Sequence, residues 1–161
     1  MLNKVKDFLP SFVLKILYYA HVNSTLNYCT PIWGNTSFSH LQSLILMQKR
    51  IIRIISQSQY RDHTQPLFKQ NKILKLTDLS RFHNIVEYFK HIPQHPVNPV
   101  HNYHTRHRHA YIPQRRNTAL AERSFKHLGP IHFHQLPQRM KAIRTLPAFK
   151  KQLKHYLISK Y

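Results

Sequence analysis

The chain has 161 residues, enough for one domain with a real core or for two small ones. Apolar residues are too many for a wholly disordered chain, and two glycines are too few for a turn-dense all-β fold. The 25 Lys and Arg against five acids give a formal charge of +20, an excess that repels itself and attracts polyanions, so nucleic acid is the expected partner.

The basic excess is uneven. Residues 1–90 hold 12 basic and four acidic groups, a charge of +8, and residues 91–161 hold 13 and one, a charge of +12. Cys29, the single cysteine, rules out a disulfide framework and a cysteine-based zinc site, and is expected to be a small buried side chain in a reducing compartment. The N-terminal apolar stretch is broken by Lys15 and no small-residue cleavage site follows, so no signal peptide is read there. No run approaches the roughly 20 apolar residues of a membrane span.

Residues 11–28, SFVLKILYYAHVNSTLNY, read as a helix with a broad apolar face of Phe12, Val13, Ile16, Leu17, Tyr19 and Ala20. CTPIWGNTS breaks it through Pro31 and Gly34-Asn35, and Trp33 is expected to anchor the turn in the core. Residues 37–56, SFSHLQSLILMQKRIIRIIS, carry the clearest helical stripe: Leu41, Ile45, Gln48, Ile52 and Ile55, widened by Leu44, Ile51 and Ile54. Ser39 and Gln42 fit a capping box. On the polar side Lys49, Arg50 and Arg53 form either an ordinary solvated face or a phosphate clamp.

QSQYRDH reads as a loop. Thr64 is expected to cap a short helix with Pro66 in its first turn, and Thr77 to cap the next, with Leu79, Phe82, Val86 and Phe89 on one face and Asp78 at the positive end. Pro93 should stop that helix. From there to Asn117 prolines punctuate a stretch of sparse apolar residues without periodicity, read as an extended connector. Beyond it, RSFKHLGP reads as a short strand and PIHFHQL as a helical turn; Thr145 then opens a last helix with Phe149, Leu153, Tyr156 and Leu157 on one side and Lys150, Lys151, Lys154 and Lys160 on the other. The expected fold is mainly α: a helical unit over 1–92, a basic connector over 93–117, and a small helical unit over 118–161 with room for one short strand pair near residues 124–133.

Two-metal phosphoryl transfer needs carboxylates converging on metals ~3.5–4 Å apart, and the nearest acids in this sequence, Asp78 and Glu87, are nine residues apart. A glycine-rich phosphate loop is absent. His101, His104, His107 and His109 have spacings that can wrap a zinc ion, but neighbouring arginines oppose a cation, and no metal or other cofactor is expected. Fourteen histidines keep a small His-based ribonuclease open as an alternative. In HNYHTRHRHAYIPQRR, residues 101–116, Arg106, Arg108, Arg115 and Arg116 can make bidentate phosphate contacts, and Tyr103 and Tyr111 can stack on bases. A solvated connector would use the same residue types.

One ordered set of residues goes beyond composition. LYYAHVNSTLNYCTPIWGNTSFSHLQSLILMQKRIIRII resembles the segment after the catalytic palm in jockey-like non-LTR retrotransposon reverse transcriptases, through Leu17, Tyr18, Ser24, Leu26, Tyr28, Trp33, Gly34, Gln48, Lys49, Arg50, Ile52, Arg53 and Ile54. HTQPLFKQNKILKLTDL resembles the next block, with His63, Pro66, Leu67, Leu74 and Asp78 in place, and HNYHTR the family's His-Asn-Tyr-x-Thr-Arg box, with His101, Asn102, Tyr103, Thr105 and Arg106. The stretch from Gly129 to Ile158 is similar to the Gly-Pro-x-x-Trp-Asn-x-Leu-Pro tail, departing from it at Phe133 and His134. The Tyr-x-Asp-Asp palm box and the endonuclease are missing.

The resemblance therefore implies a thumb-and-tail C-terminal fragment of an RNA-directed DNA polymerase, without polymerase activity of its own. It would bind RNA or DNA backbone through Lys49, Arg50, Arg53, the connector residues, and Lys150, Lys151 and Lys154, inside the cell, with the nucleus as one candidate compartment. A basic structural or ribonucleoprotein-assembly protein is the alternative from another class.

Overall fold

The structure is a computed structural model that describes residues 2–91 and 115–161. Helix takes up 73% of these residues and no strand occurs among them, so the chain is mainly α. In chain order the helices are α1 (Leu2–Val5), α2 (Ser11–Leu17), a π-helical stretch (Tyr18–Asn23), α3 (Ser24–Asn27), α4 (Thr30–Trp33), α5 (Phe38–Ile55), α6 (Thr64–Asn71), α7 (Leu76–His91), α8 (Ala119–Arg123), α9 (Phe125–His134), α10 (Gln138–Lys141) and α11 (Leu146–Ser159). They fall into two compact units, one of Met1–Ser80 with Lys154–Tyr161, the other of Arg81–Leu153, so the division cuts α7 and α11.

The first unit is organised by α5. Its stripe is buried at Leu41, Gln48, Ile51, Ile52 and Ile55, in a core with Leu14, Tyr18, Phe68 and Ile73. Residues 11–27 form one continuous helical run, and its buried face keeps only part of the expected one: Leu17 and Tyr19 pack, partly buried, against the core. Leu14 and Tyr18 are inside, whereas Phe12 and Ile16 are 65% and 60% exposed. Positions two apart on a helix lie some 200° apart, and both pairs are apolar, so periodicity does not choose between them. The choice falls to Tyr18, whose hydroxyl accepts a hydrogen bond from buried Gln48 at 3.0 Å. Just past the wide π turns, the Ser24 and Thr25 hydroxyls donate back to the carbonyls of Ala20 and His21.

Helix ends depart from the sequence reading in small ways. α5 starts after Ser37, which makes no side-chain cap bond; its hydroxyl meets that of Ser39 at 3.0 Å, so the Ser39–Gln42 capping box does not form. α6 is preceded by His63 with Thr64 already helical, and α7 begins at Leu76 so that Thr77 lies within it. Trp33 is half-buried, with its indole N–H donating to the Tyr28 carbonyl at 2.6 Å, and so does not anchor a core. Gly34 is needed for close approach: a Cβ there would stand 2.6 Å from the Thr30 carbonyl oxygen and 2.9 Å from the Ser80 Cβ. Cys29 is exposed, at φ 50° in the left-handed joint between α3 and α4, not buried as expected.

Where the first unit takes in the end of the chain, Leu157 and Ile158 are buried, the Tyr161 hydroxyl accepts from the Lys75 backbone N–H at 2.9 Å, and the Lys75 ammonium lies 4.0 Å from the Tyr161 ring centre.

In the second unit an aromatic cluster joins α7, α9 and α11. Phe89 and Phe149 stack with centroids 4.1 Å apart and planes 9° from parallel, and Phe133 lies 6.1 Å from Phe149. The strand pair expected near residues 124–133 is instead α9, started by Ser124, whose hydroxyl accepts from the Lys126 N–H. Pro130 sits inside α9 and forgoes one helical hydrogen bond. Gly129 lets α9 meet α7: a Cβ would lie 2.9 Å from the Asn84 carbonyl oxygen and 3.0 Å from the Tyr88 Cβ. The expected stop at Pro93 and the connector as far as residue 114 lie outside the described residues; Arg115 and Arg116 are exposed and not helical.

Candidate nucleic-acid interface

The polar side of α5 ends in a loop whose shape is set by hydrogen bonds. Gln57 takes φ 50° just past the helix; its N–H donates to the Ile54 carbonyl at 3.2 Å and the Ser58 N–H to the Arg53 carbonyl at 3.0 Å. This is a Schellman ending with glutamine in the position that glycine usually fills. Farther along, the Asp62 carboxylate accepts the Gln59 N–H at 2.8 Å, and the Asn71 amide donates to the Ser56 hydroxyl at 2.8 Å. Residues 56–63 are therefore a loop, as expected, but one tied to α5 and α6.

Arg53 is half-buried. Its Nε donates to the Asp62 carbonyl at 3.0 Å, and its guanidinium carbon lies 5.8 Å from the centre of the Tyr60 ring, within cation–π range. Tyr60 itself is 75% exposed. Val5, packed against the core at the end of α1, brings Lys6 and Asp7 into the lining of the same depression. The result is a concavity of about 700 Å³, lined among others by Lys6, Asp7, Arg50, Arg53, Gln57 and Tyr60. Three cations face one carboxylate there, which suits an anion of low charge density held by several donors.

Of the expected α5 cluster, Arg50 and Arg53 come together in this concavity, while half-buried Lys49 is not among its lining residues. Lys6 and Tyr60 were not singled out in the sequence. The available signal was Tyr60-Arg61 beside the Arg50/Arg53 face; Lys6 had none, because only the packing of α1 on α5 brings it near. Lys150 and Lys151 are exposed in the second unit. Lys154, in the first, is half-buried with its ammonium 5.6 Å from the Tyr19 ring centre. Tyr103, Arg106, Arg108 and Tyr111 lie outside the described residues.

Three histidines of the second unit, His83, His132 and His134, are shifted toward the neutral form. Burial and the nearby Arg81 lower His132 to about 4. Burial, then Lys150 and Lys90, lower His83, and burial, then Lys141, lower His134. Among the described residues no group of three or more His, Cys, Asp or Glu could hold a metal ion, and no helix is long and apolar enough to cross a membrane. The histidines of the 101–109 strip are outside the described residues.

No protein-family model matches this chain, and neither a curated protein nor a solved structure does.

Proposed function

We propose that this chain is a non-catalytic nucleic-acid-binding segment, the thumb and tail of a jockey-like non-LTR retrotransposon RNA-directed DNA polymerase, which grips the phosphate backbone of RNA or DNA in the nucleus. The observation that carries the binding half is the joint placement of Lys6, Arg50 and Arg53 around one concavity with a single carboxylate, Asp7. The family half rests on the ordered resemblance from Leu17 to Ile158, and the overall charge of +20 supports both. Sequence-independent binding of this kind is driven by counterion release, and its signature is salt dependence.

The test is fluorescence anisotropy of the full chain with labelled RNA and DNA across a salt series. Lys6→Ala and Arg50→Ala should each flatten the slope of log K against log salt by about 0.7–0.9, for unrelated sequences alike. Wild-type protein that binds neither polymer, or variants that keep the full slope, would overturn the reading. The same preparation should extend no primer with any template and divalent cation.

A second reading, a basic structural or ribonucleoprotein-assembly protein, draws on exposed Phe12 and Ile16, an apolar face without a covering element among the described residues.

A further inference from the structure

Tyr60 presents most of its ring to solvent, yet it stands on a loop with little freedom. The Gln57 turn, the Asp62 carboxylate on the Gln59 N–H, and Arg53 on the Asp62 carbonyl fix that loop from three sides. A fixed, exposed aromatic ring gives up little freedom when it binds. Arg53, on α5, lies over the ring at cation–π distance and so helps to hold it in place. Arg50 and Lys6 line the same concavity and carry cations able to reach an anion attached to a flat group stacked on the ring.

A nucleotide supplies both, a flat heteroaromatic ring and, through its sugar, a phosphate. In a duplex both faces of each base are covered by neighbouring bases, so such a ring can be offered to Tyr60 only by an unpaired one. The depression, about 700 Å³, is half open to solvent, so a base can reach the exposed Tyr60 ring from outside. Gln57, on the same lining, has an amide able to hydrogen-bond a base edge, and its lack of a preference between donor and acceptor suits any base.

We infer that this concavity is a single-strand site, in which one unpaired base stacks on Tyr60 while its phosphate is held by Arg50 and Lys6. The inference rests on the phosphate-gripping reading above and adds to it a preference for single strands.

The experiment compares a labelled single-stranded oligonucleotide with its own duplex, and with a strand of the same length made of abasic sugar-phosphate units. Wild-type chain should bind the single strand more tightly than either. Tyr60→Ala should weaken single-strand binding about 5- to 100-fold while leaving the salt slope and the duplex and abasic affinities in place; Tyr60→Phe should restore single-strand binding. Because Tyr60 is exposed, a circular-dichroism melt of both variants should match wild type, which separates lost stacking from lost folding. If Tyr60→Ala keeps full single-strand affinity while Lys6→Ala and Arg50→Ala still flatten the slope, the stacking site is overturned and the phosphate reading stands. If the wild-type chain binds no strand at all, both fall.

Discussion

The side-chain amide of Gln48 donates to the Tyr18 hydroxyl at 3.0 Å, inside a core from which water is excluded. Gln48 is 3% exposed, yet both N–H groups and the oxygen of its amide are used: Nε2 also donates to the Leu74 carbonyl at 2.9 Å, and Oε1 accepts the Leu76 N–H at 2.9 Å. One side chain on α5 thus satisfies the backbone where the chain leaves α6 and enters α7. Replacing it by leucine would strand a donor and an acceptor of the main chain together with the Tyr18 hydroxyl. Gln48→Leu should destabilise the first unit by at least about 2 kcal/mol. Tyr18→Phe, which leaves both backbone bonds intact and strands one N–H of the Gln48 amide, should cost less, about 1–2 kcal/mol. Urea unfolding of the two variants checks the order; equal losses would mean that the backbone bonds contribute nothing.

Gln57 and Lys72 close α5 and α6 in the left-handed region, at φ 50° and 55°. Both endings are held by paired backbone bonds, for Lys72 from its N–H to Lys69 and from the Ile73 N–H to Phe68. A side chain with a Cβ is disfavoured in that conformation and glycine is not. Gln57→Gly and Lys72→Gly should each stabilise the chain by about 1 kcal/mol, and Lys72→Val should destabilise it. Thermal midpoints would show the opposite signs.

Acid should unfold this protein through histidine more than through carboxylate. The five acids are few, and His132, His83 and His134 all have folded values below the ordinary one. A base whose folded value is depressed is protonated more readily in the unfolded chain. The stability it contributes is therefore complete above pH 6.5 and is lost as pH falls toward its folded value, about 4 for His132. Glu87, held below the usual carboxylate range by Lys90, acts with the same sign at lower pH. Urea midpoints should fall between pH 6.5 and 4, and His132→Gln should flatten that fall. A variant with the wild-type profile would remove His132 from the account.

For the connector, changing Arg106, Arg108, Arg115 and Arg116 to alanine together should weaken binding to unrelated RNA sequences alike. The salt slope should flatten by about 0.7–0.9 for each phosphate that these arginines neutralise in the wild-type complex. Tyr103→Ala and Tyr111→Ala should cost about 1–3 kcal/mol each with little change of slope if they stack on bases. An unaltered four-arginine variant would leave gripping to Lys6, Arg50 and Arg53.

The mainly helical class and the α5 stripe were legible in the sequence. Leu41, Gln48, Ile52 and Ile55 recur at helical spacing, and a helix with one apolar stripe has only one way to face a core. Over residues 11–27 that logic ran out. Phe12 and Ile16 form one apolar stripe and Leu14 and Tyr18 another, so the one-dimensional pattern is satisfied twice. Tertiary structure decided it: Tyr18, on the second stripe, meets Gln48, thirty residues away along the chain. The stretch from Ser124 to Phe133 shows the converse: Gly129 and Pro130 read locally as a break, but the glycine is the point where α9 closes on Asn84 and Tyr88, and that packing outweighs one missing helical bond. The candidate site divides in the same way. Arg50 and Arg53 share a helix face and could be paired from spacing alone; Lys6 and Tyr60 join them only through the packing of Val5 and the closed Gln57–Asp62 loop, which are non-local and leave no periodic trace.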